Sequence, residues 1–294
     1  MFTQLLVNGL VTGSVYAIAA VGVSLVYGIL RLVNFAYGDM MTFGAFAGYF
    51  ANATLGLPML ASAAFAMAAA AVLSVALDVV LWRPLRVRRA GFMGLFLASI
   101  GVALVLRQAI LLVWGPQPRA YDIDQFKVYV IGDIRLSLAQ AATIVASTVA
   151  IVAIGLFLAR SSTGRVMRAM SDDRALAQLS GIDVNRVIAV TWVISGFTAG
   201  LAGVLAGLVQ STFDPNFGFQ LLLPVFAAVV LGGIGSAYGA LAGGLVLGVA
   251  TEVSTWEGFG GGVDPVYKPV VAFVVLIVAL MLRPQGLFGR ARAV

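Results

Sequence analysis

The sequence predicts an all-α fold: a polytopic transmembrane helix bundle of about eight or nine spans with short broken helices, forming one domain over residues 1–294. Three observations carry that prediction. Hydrophobic residues make up 61% of the chain and charged residues only 10%, against roughly 45–50% and 25% in soluble domains. Apolar runs of about 20 residues recur along the whole length, each long enough to span a hydrocarbon core of roughly 30 Å. These runs are continuous and rich in Ala, Leu, Val and Gly, where a closed barrel would alternate strictly. Backbone groups in lipid must be satisfied within the segment, so the runs are helices.

Taken in order, the runs and their flanks place spans at 3–29, 38–56, 58–82, 91–114, 138–159, 187–211, 219–233, 236–252 and 265–282. The pairs 38–82 and 219–252 can each be read with one span fewer. Flanking charge gives the orientation. Arg83, Arg86, Arg88 and Arg89 crowd one turn, while Arg160, Arg165, Arg168, Arg174 and Arg186 lie in or beside another. Arg283, Arg290 and Arg292 lie at the carboxyl end. By the positive-inside rule these three regions face the cytoplasm. Residues 115–137 balance Arg119, Lys127 and Arg135 against Asp122, Asp124 and Asp133, and so read as external. The stretch 253–264 carries Glu257 and Asp264 with no basic residue and reads the same way. Nine spans put the amino terminus outside. Met1-Phe2-Thr3-Gln4 lacks a basic n-region, so the first run is expected to stay in the mature protein.

Small residues recur at helical spacing, at Gly9/Gly13, Gly44/Gly48, Gly196/Gly200, Gly203/Gly207, Gly235/Gly239/Gly243 and Gly244/Gly248. Such steps let helix backbones approach closely in lipid, and predict a tightly packed bundle. An internal echo accompanies them. Ala36-Tyr37-Gly38 and Ala237-Tyr238-Gly239 each stand at the mouth of a Gly-rich span, the kind of correspondence that transporter repeats leave.

Composition also limits the chemistry. The net charge is +6, but the basic residues sit in short turns between spans, which points to the bilayer and away from nucleic acid. Without cysteine or histidine, zinc, haem, iron–sulfur and thiol chemistry are not expected, and no disulfide is possible. The only lysines are Lys127 and Lys268, and no Gly-x-x-x-x-Gly-Lys-Ser/Thr phosphate loop exists, so the chain is expected not to hydrolyse ATP. Ion coupling would call for charges deep in the bilayer. Asp78, Arg107 and Glu252 fall inside spans. Asp78 is expected to pair locally with Arg83, and Glu252 to be solvated at an external helix end. Arg107, beside Gln108, either snorkels to the interface or serves a site.

The loop from Arg160 to Arg186 is too long for a tight turn and has a helical grammar of its own. Ser171 is a plausible N-cap, with Asp172 and Asp173 in the first turn where the macrodipole favours acids. Leu176 and Leu179 give one apolar face, and Gly181 is placed to end the helix. Its exposed face is mixed in sign, which suits a protein groove better than headgroups.

This loop resembles the coupling-helix region of ATP-binding cassette importer permeases, in the form found in branched-chain amino acid systems. The matching residues are Arg165 to Ala169 (with Arg168), Ala175, Gly181-Ile182 and Arg186-Val187-Ile188. Asn8-Gly9-Leu10, Gly13-Ser14, Tyr16-Ala17, Gly28 and Arg31 to Asp39 resemble the opening of the LivH-type permease. Val230 to Ser236, followed by Gly239-Ala240, resembles that family's other strong block. One departure stands out, since the family commonly has His where this chain has Tyr37.

The resemblance implies an inner-membrane permease subunit of a heteromeric importer. Its partners would be a second, LivM-type permease subunit or a second copy of itself, two cytosolic ATPases, and a periplasmic substrate-binding protein. ATP and magnesium would be held by the ATPases, with no cofactor on this chain. The coupling helix, including Arg168, Ser171, Asp172, Asp173, Ala175, Leu176, Leu179 and Gly181, would sit in an ATPase groove. Polar groups able to meet a small zwitterion along the path are Ser14, Tyr16, Asn34, Tyr37, Asp39, Ser99, Gln108, Thr191, Ser195 and Thr198. Asn34 and Asp39 have the strongest claim because they flank a helix break, where free backbone groups can line a cavity. Asp39 alternatively caps its helix or pairs with Arg31.

Overall fold

A computed structural model of the chain describes every residue except 1, 124–127, 132–133, 173, 260–261, 284 and 289–294. The charges read at Asp124, Lys127, Asp133, Arg290 and Arg292 therefore lie outside the described residues. In chain order the elements are α1 (Phe2–Leu30), α2 (Tyr37–Tyr49), α3 (Met59–Leu77), α4 (Arg83–Val87), α5 (Phe92–Trp114), β1 (Val128–Ile131) and β2 (Ile134–Ser137). There follow α6 (Leu138–Arg160), α7 (Ser162–Asp172), α8 (Arg174–Leu179), α9 (Val184–Gln210), α10 (Phe217–Gly232), α11 (Ala237–Val253) and α12 (Lys268–Leu282). Turns of π-helix extend α2 over Phe50–Thr54 and join α3 to α4 over Asp78–Trp82.

Every predicted run contains a helix, and both ambiguous pairs resolve into two. Among the described residues, Phe2–Leu30, Met59–Val87, Phe92–Trp114, Leu138–Arg160, Val184–Gln210 and Pro265–Leu282 are long and apolar enough to cross a membrane. Phe217–Gly232 and Ala237–Val253 are shorter apolar helices. The chain departs from an all-helical one at a small antiparallel hairpin, paired from Val128↔Ser137 to Ile131↔Ile134, inside the stretch read as a loop. The first run of four is β-branched and aromatic and the second is Ile-Arg-Leu-Ser, and both are far too short to register as spans.

The core lies around α1 and α9, which are buried over most of their length, whereas α3, α5, α6 and α12 turn only a narrow face inward. The predicted small-residue steps make these contacts. Where α1 crosses α11, a Cβ on Gly9 would stand 2.7 Å from the Val249 Cα, and one on Gly13 would stand 3.0 Å from the Leu245 Cα. Backbones this close gain dispersion contacts that a side chain would forfeit.

The two ends of the bundle differ. Gln4 exchanges a pair of hydrogen bonds with the Arg135 backbone (2.8 and 2.9 Å), and the Phe2 ring lies 4.9 Å from that of Trp256. The start of α1 therefore lies at the hairpin end, opposite the arginine-rich turns, as a nine-span reading requires. At the arginine end α1 stops at Arg31, whose φ of 53° is left-handed and whose N–H donates to Tyr27 O at 2.9 Å. Residues 31–36 are not helical, and the chain re-enters the bundle before α2 begins.

Candidate functional site

The break between α1 and α2 is held by local polar bonds. Asn34 Oδ1 accepts the Ala36 N–H at 3.1 Å, and the Tyr37 N–H donates to Asn34 O at 3.3 Å. The neighbouring Phe35 N–H reaches Ser99 Oγ on α5 at 3.3 Å. α2 thus starts inside the protein. The Tyr37 hydroxyl lies 3.1 Å from Thr198 Oγ1, about halfway along α9. Asp39, 0% exposed in the first turn of α2, accepts from Arg107 Nε at 2.9 Å and Nη2 at 3.2 Å. A carboxylate there is favoured by both the guanidinium and the positive end of the helix.

A second short helix meets this one. The Arg107 guanidinium stacks on the Phe219 ring of α10, 4.5 Å from its centroid. Gly38 and Gly218 touch backbone to backbone, and the Gly218 N–H donates to Thr42 Oγ1 at 2.9 Å. The amino-terminal ends of α2 and α10 therefore converge on one buried spot. Each end draws on a group from another element: Thr42 accepts an N–H of α10, and the arginine of α5 donates twice to the carboxylate in the first turn of α2.

The structure brings Asn34, Tyr37 and Asp39 together, and it corrects several expectations around them. Asp39 pairs with Arg107, not Arg31, whose Nη2 instead donates to Ser171 O at 3.3 Å. Arg107 does not snorkel, because its partner carboxylate lies within the bundle. Gln108, one residue on, is exposed on the outside of α5 and does not join the cluster. Ser14 bonds its own helix at Leu10 O (2.7 Å), Thr191 bonds Val187 O (2.8 Å), and Ser99 bonds Phe96 O (2.7 Å). Ser195 is buried with its hydroxyl unpartnered, and Tyr16 is half-buried on α1. Thr42, Gly218 and Phe219 escaped the sequence reading. The sole signal for them was the interrupted segment preceding each short helix.

The remaining membrane charges are paired differently from expectation. Asp78 meets Arg86 at 2.7 Å rather than Arg83, since the intervening π turn rotates the helix face by roughly one residue. Glu252 is buried, not solvated, and pairs with Lys268 at 2.8 Å while Thr12 Oγ1 lies at 3.3 Å. Outside the spans, burial pushes the Tyr121 phenol well above its ordinary range, and its hydroxyl donates to Ala45 O at 3.1 Å.

The loop from 160 to 186 is an arm of two helical segments. α7 begins at Ser162, so Ser171 lies in its last turn and is not the N-cap the sequence predicted. The earlier start follows from Ser161, whose Oγ accepts the Gly164 N–H at 2.8 Å and caps the helix. Gly164 packs on the Leu158 and Phe157 carbonyls, and Arg168 Nη1 donates to Leu158 O, which roots α7 on the end of α6. Met167 and Met170 are buried beneath it. Asp173 and the side chains of Arg174 and Ala175 lie outside the described residues; Asp172 is exposed. Leu176 and Leu179, predicted as one apolar face, are 62% and 86% exposed.

Gly181 ends the arm as predicted, with φ of 79°. The Gly181 N–H donates to Gln178 O at 3.1 Å and the Ile182 N–H to Ala177 O at 3.2 Å, a Schellman closure. Gly181→Val is expected to cost about 1–2 kcal/mol locally, since a β-branched residue resists the left-handed region. Hydrogen–deuterium exchange should show residues 174–182 exchanging faster, with the membrane helices unchanged; unaltered protection would contradict the closure.

Comparison with known proteins places this geometry. The family model described as branched-chain amino acid transport system / permease component matches residues 5–280. The chain is 35% identical over 303 residues to the high-affinity branched-chain amino acid transport system permease protein BraD of Pseudomonas aeruginosa, covering 98% of this chain and 96% of that one. It is 33% identical over 302 residues, with the same coverage of 98% and 96%, to the corresponding protein LivH of Escherichia coli. Among solved structures, PsaBC from Streptococcus pneumoniae in complex with Fab shares the fold, with a TM-score of 0.51 at 15% identity over 96% of this chain and 92% of that one. A multi-pass membrane protein with an interior helix break and a protruding arm, matched by this family over nearly its whole length, the chain belongs to the branched-chain amino acid transport system permease component family.

Proposed function

We propose that the chain is the membrane-spanning permease subunit of an ATP-driven importer for branched-chain or related amino acids. One observation carries this reading: an arm rooted firmly on α6 holds two exposed leucines, Leu176 and Leu179, away from the bundle at its arginine-rich end. An exposed leucine pair on a capped helix is what a groove in a partner would receive. The sequence carries no phosphate loop, so the energy would come from two ATPase subunits holding ATP and magnesium, with no cofactor on this chain. A second permease subunit, LivM-type or a second copy, would complete the path, and a periplasmic binding protein would deliver the solute. The arginine end would face the cytoplasm of a bacterial inner membrane.

The residues then have definite tasks. α2 and α10 form two half-length gates whose starting ends meet at Gly38 and Gly218. Asn34, Tyr37, Ser195 and Thr198 would offer weak polar contacts to a passing zwitterion, and the Asp39–Arg107 pair would fix the gates without binding the solute. Purified alone, the chain is expected to show neither ATP hydrolysis nor leucine uptake in liposomes, and pull-down from native membranes should recover an ATPase and a second permease. Robust uptake by the lone chain would instead favour a stand-alone transporter. Leu179→Glu should reduce ATPase recovery about tenfold or more, the scale of losing a central interface contact. Undiminished recovery would remove the arm from the interface.

A further inference from the structure

The end of α7 rests on the end of α1 at the place where α1 also abuts the turn after α10. A Cβ on Gly28, near the end of α1, would lie 3.4 Å from Ser171 Oγ and 3.4 Å from the Gly235 Cα. Arg31, three residues on, donates to Ser171 O at 3.3 Å. Gly28 and Arg31 lead into the break that feeds α2. Gly235, at φ of 88°, belongs to the turn that follows α10 and precedes α11. Since α2 and α10 also meet at Gly38 and Gly218, the contacts close a ring of α1 end, α2, α10 and the Gly235 turn back to α1, and the arm bears on that ring at the α1 end.

The two ends of α7 are built differently. At its root a side chain on Gly164 would drive into the Leu158 and Phe157 carbonyls, and Arg168 is bonded into the same turn, so the root cannot slide. At Ser171 the opposing surface is Gly28, whose would-be Cβ lies at ordinary van der Waals separation, and one exposed side-chain hydrogen bond from Arg31 joins the two. One exposed hydrogen bond offers little resistance to sliding.

We infer that Ser171 is a positioning residue: its contact with Gly28 passes movement of the arm to the end of α1, which leads into α2 and abuts the Gly235 turn after α10, and the contact slides apart in each transport cycle. The inference rests on the importer reading above and names where that machine transmits its stroke. The sequence has no cysteine, so thiols can be placed there alone. A Cβ at residue 28 would stand 3.4 Å from the Ser171 Oγ position, near the roughly 3 Å between a Cβ and its partner's sulfur across an S–S bond of about 2.05 Å.

The test uses the complete importer, reconstituted with its ATPase, partner permease and binding protein, carrying Gly28→Cys with Ser171→Cys. Copper–phenanthroline oxidation should form the bond and lower ATP-driven uptake of radiolabelled leucine about tenfold or more, with reductant restoring it. Each single-cysteine complex should ignore the oxidant. A bonded complex that takes up leucine as fast as its reduced form overturns the inference, and so does failure of the pair to bond. As a second arm, Gly28→Leu should wedge the contact. Uptake per ATP hydrolysed should then fall about tenfold, the scale of coupling between linked sites, at unchanged subunit recovery; an unchanged ratio overturns the inference. Absence of ATP-driven leucine uptake by the unsubstituted complex would overturn the importer reading itself, and the inference with it.

Discussion

Arg107→Leu is expected to destabilise the protein by about 3–5 kcal/mol, because it strands a buried carboxylate. Asp39 is fully buried, and Arg107 supplies both of its side-chain hydrogen bonds. Its helix N-terminus offsets only a fraction of a full charge. Arg107 is itself 17% exposed and has a long stem, so the reciprocal change, Asp39→Asn, leaves a cation able to reach toward the membrane interface and should cost less. The pair with Asp39→Asn and Arg107→Gln should recover part of the loss, since neutral amides are cheaper to bury. Thermal unfolding of the detergent-purified protein reads all three. An Arg107→Leu protein as stable as the unsubstituted one would show that the ion pair is not what holds α5 to the two short helices.

The second large effect is expected at Gly218→Val. Its added Cβ would enter the space of Gly38 O and stand 2.5 Å from Thr42 Oγ1. Gly38 O belongs to the backbone of α2 and cannot step aside, so α2 and α10 must separate. Overpacking of this kind costs about 1–3 kcal/mol, and more where backbone opposes backbone. The change also displaces the hydroxyl that caps α10. We expect uptake to fall below detection while the protein still inserts, with a lowered melting temperature. Gly101→Ala on α5 provides the contrast, having no atom within 4 Å of its would-be Cβ, and should leave both measurements unchanged. Equal behaviour of the two variants would dismiss the α2–α10 contact as a functional element.

The spans were legible because apolar length is a direct physical requirement of the bilayer, and even the pairs that could have merged were bounded near their true ends. Gly181 was legible because a left-handed closure leaves a residue-type signature. Asp39 was marked by the break beside it, but its partner was not, since nothing local distinguishes Arg107 from an arginine reaching for the interface. That pairing depends on how α5 rotates against α2, which the period of an almost uniformly apolar helix does not encode. Ser171 was misplaced because two good caps occur in one loop and the sequence favoured the one followed by acids, whereas Ser161 made the bond. The Ala-Tyr-Gly echo marks two true helix starts with opposite surroundings. Tyr37 is buried against Thr198, while Tyr238 is 58% exposed.

The distance in sequence between the two halves of the buried ion pair bears on how the protein is made. Asp39 and Arg107 are separated by 68 residues, so at ribosomal speeds the acid leaves the ribosome roughly 3–14 s before its base. Through that interval α2 has no counter-ion, and its charge opposes entry into lipid. The short helix must then wait at the insertion machinery or the membrane surface until α5 arrives. Thr42 waits longer still, for a glycine 176 residues downstream. The bonds that close the central break therefore form late in synthesis, although Asp39 and Thr42 are among the first residues to be made.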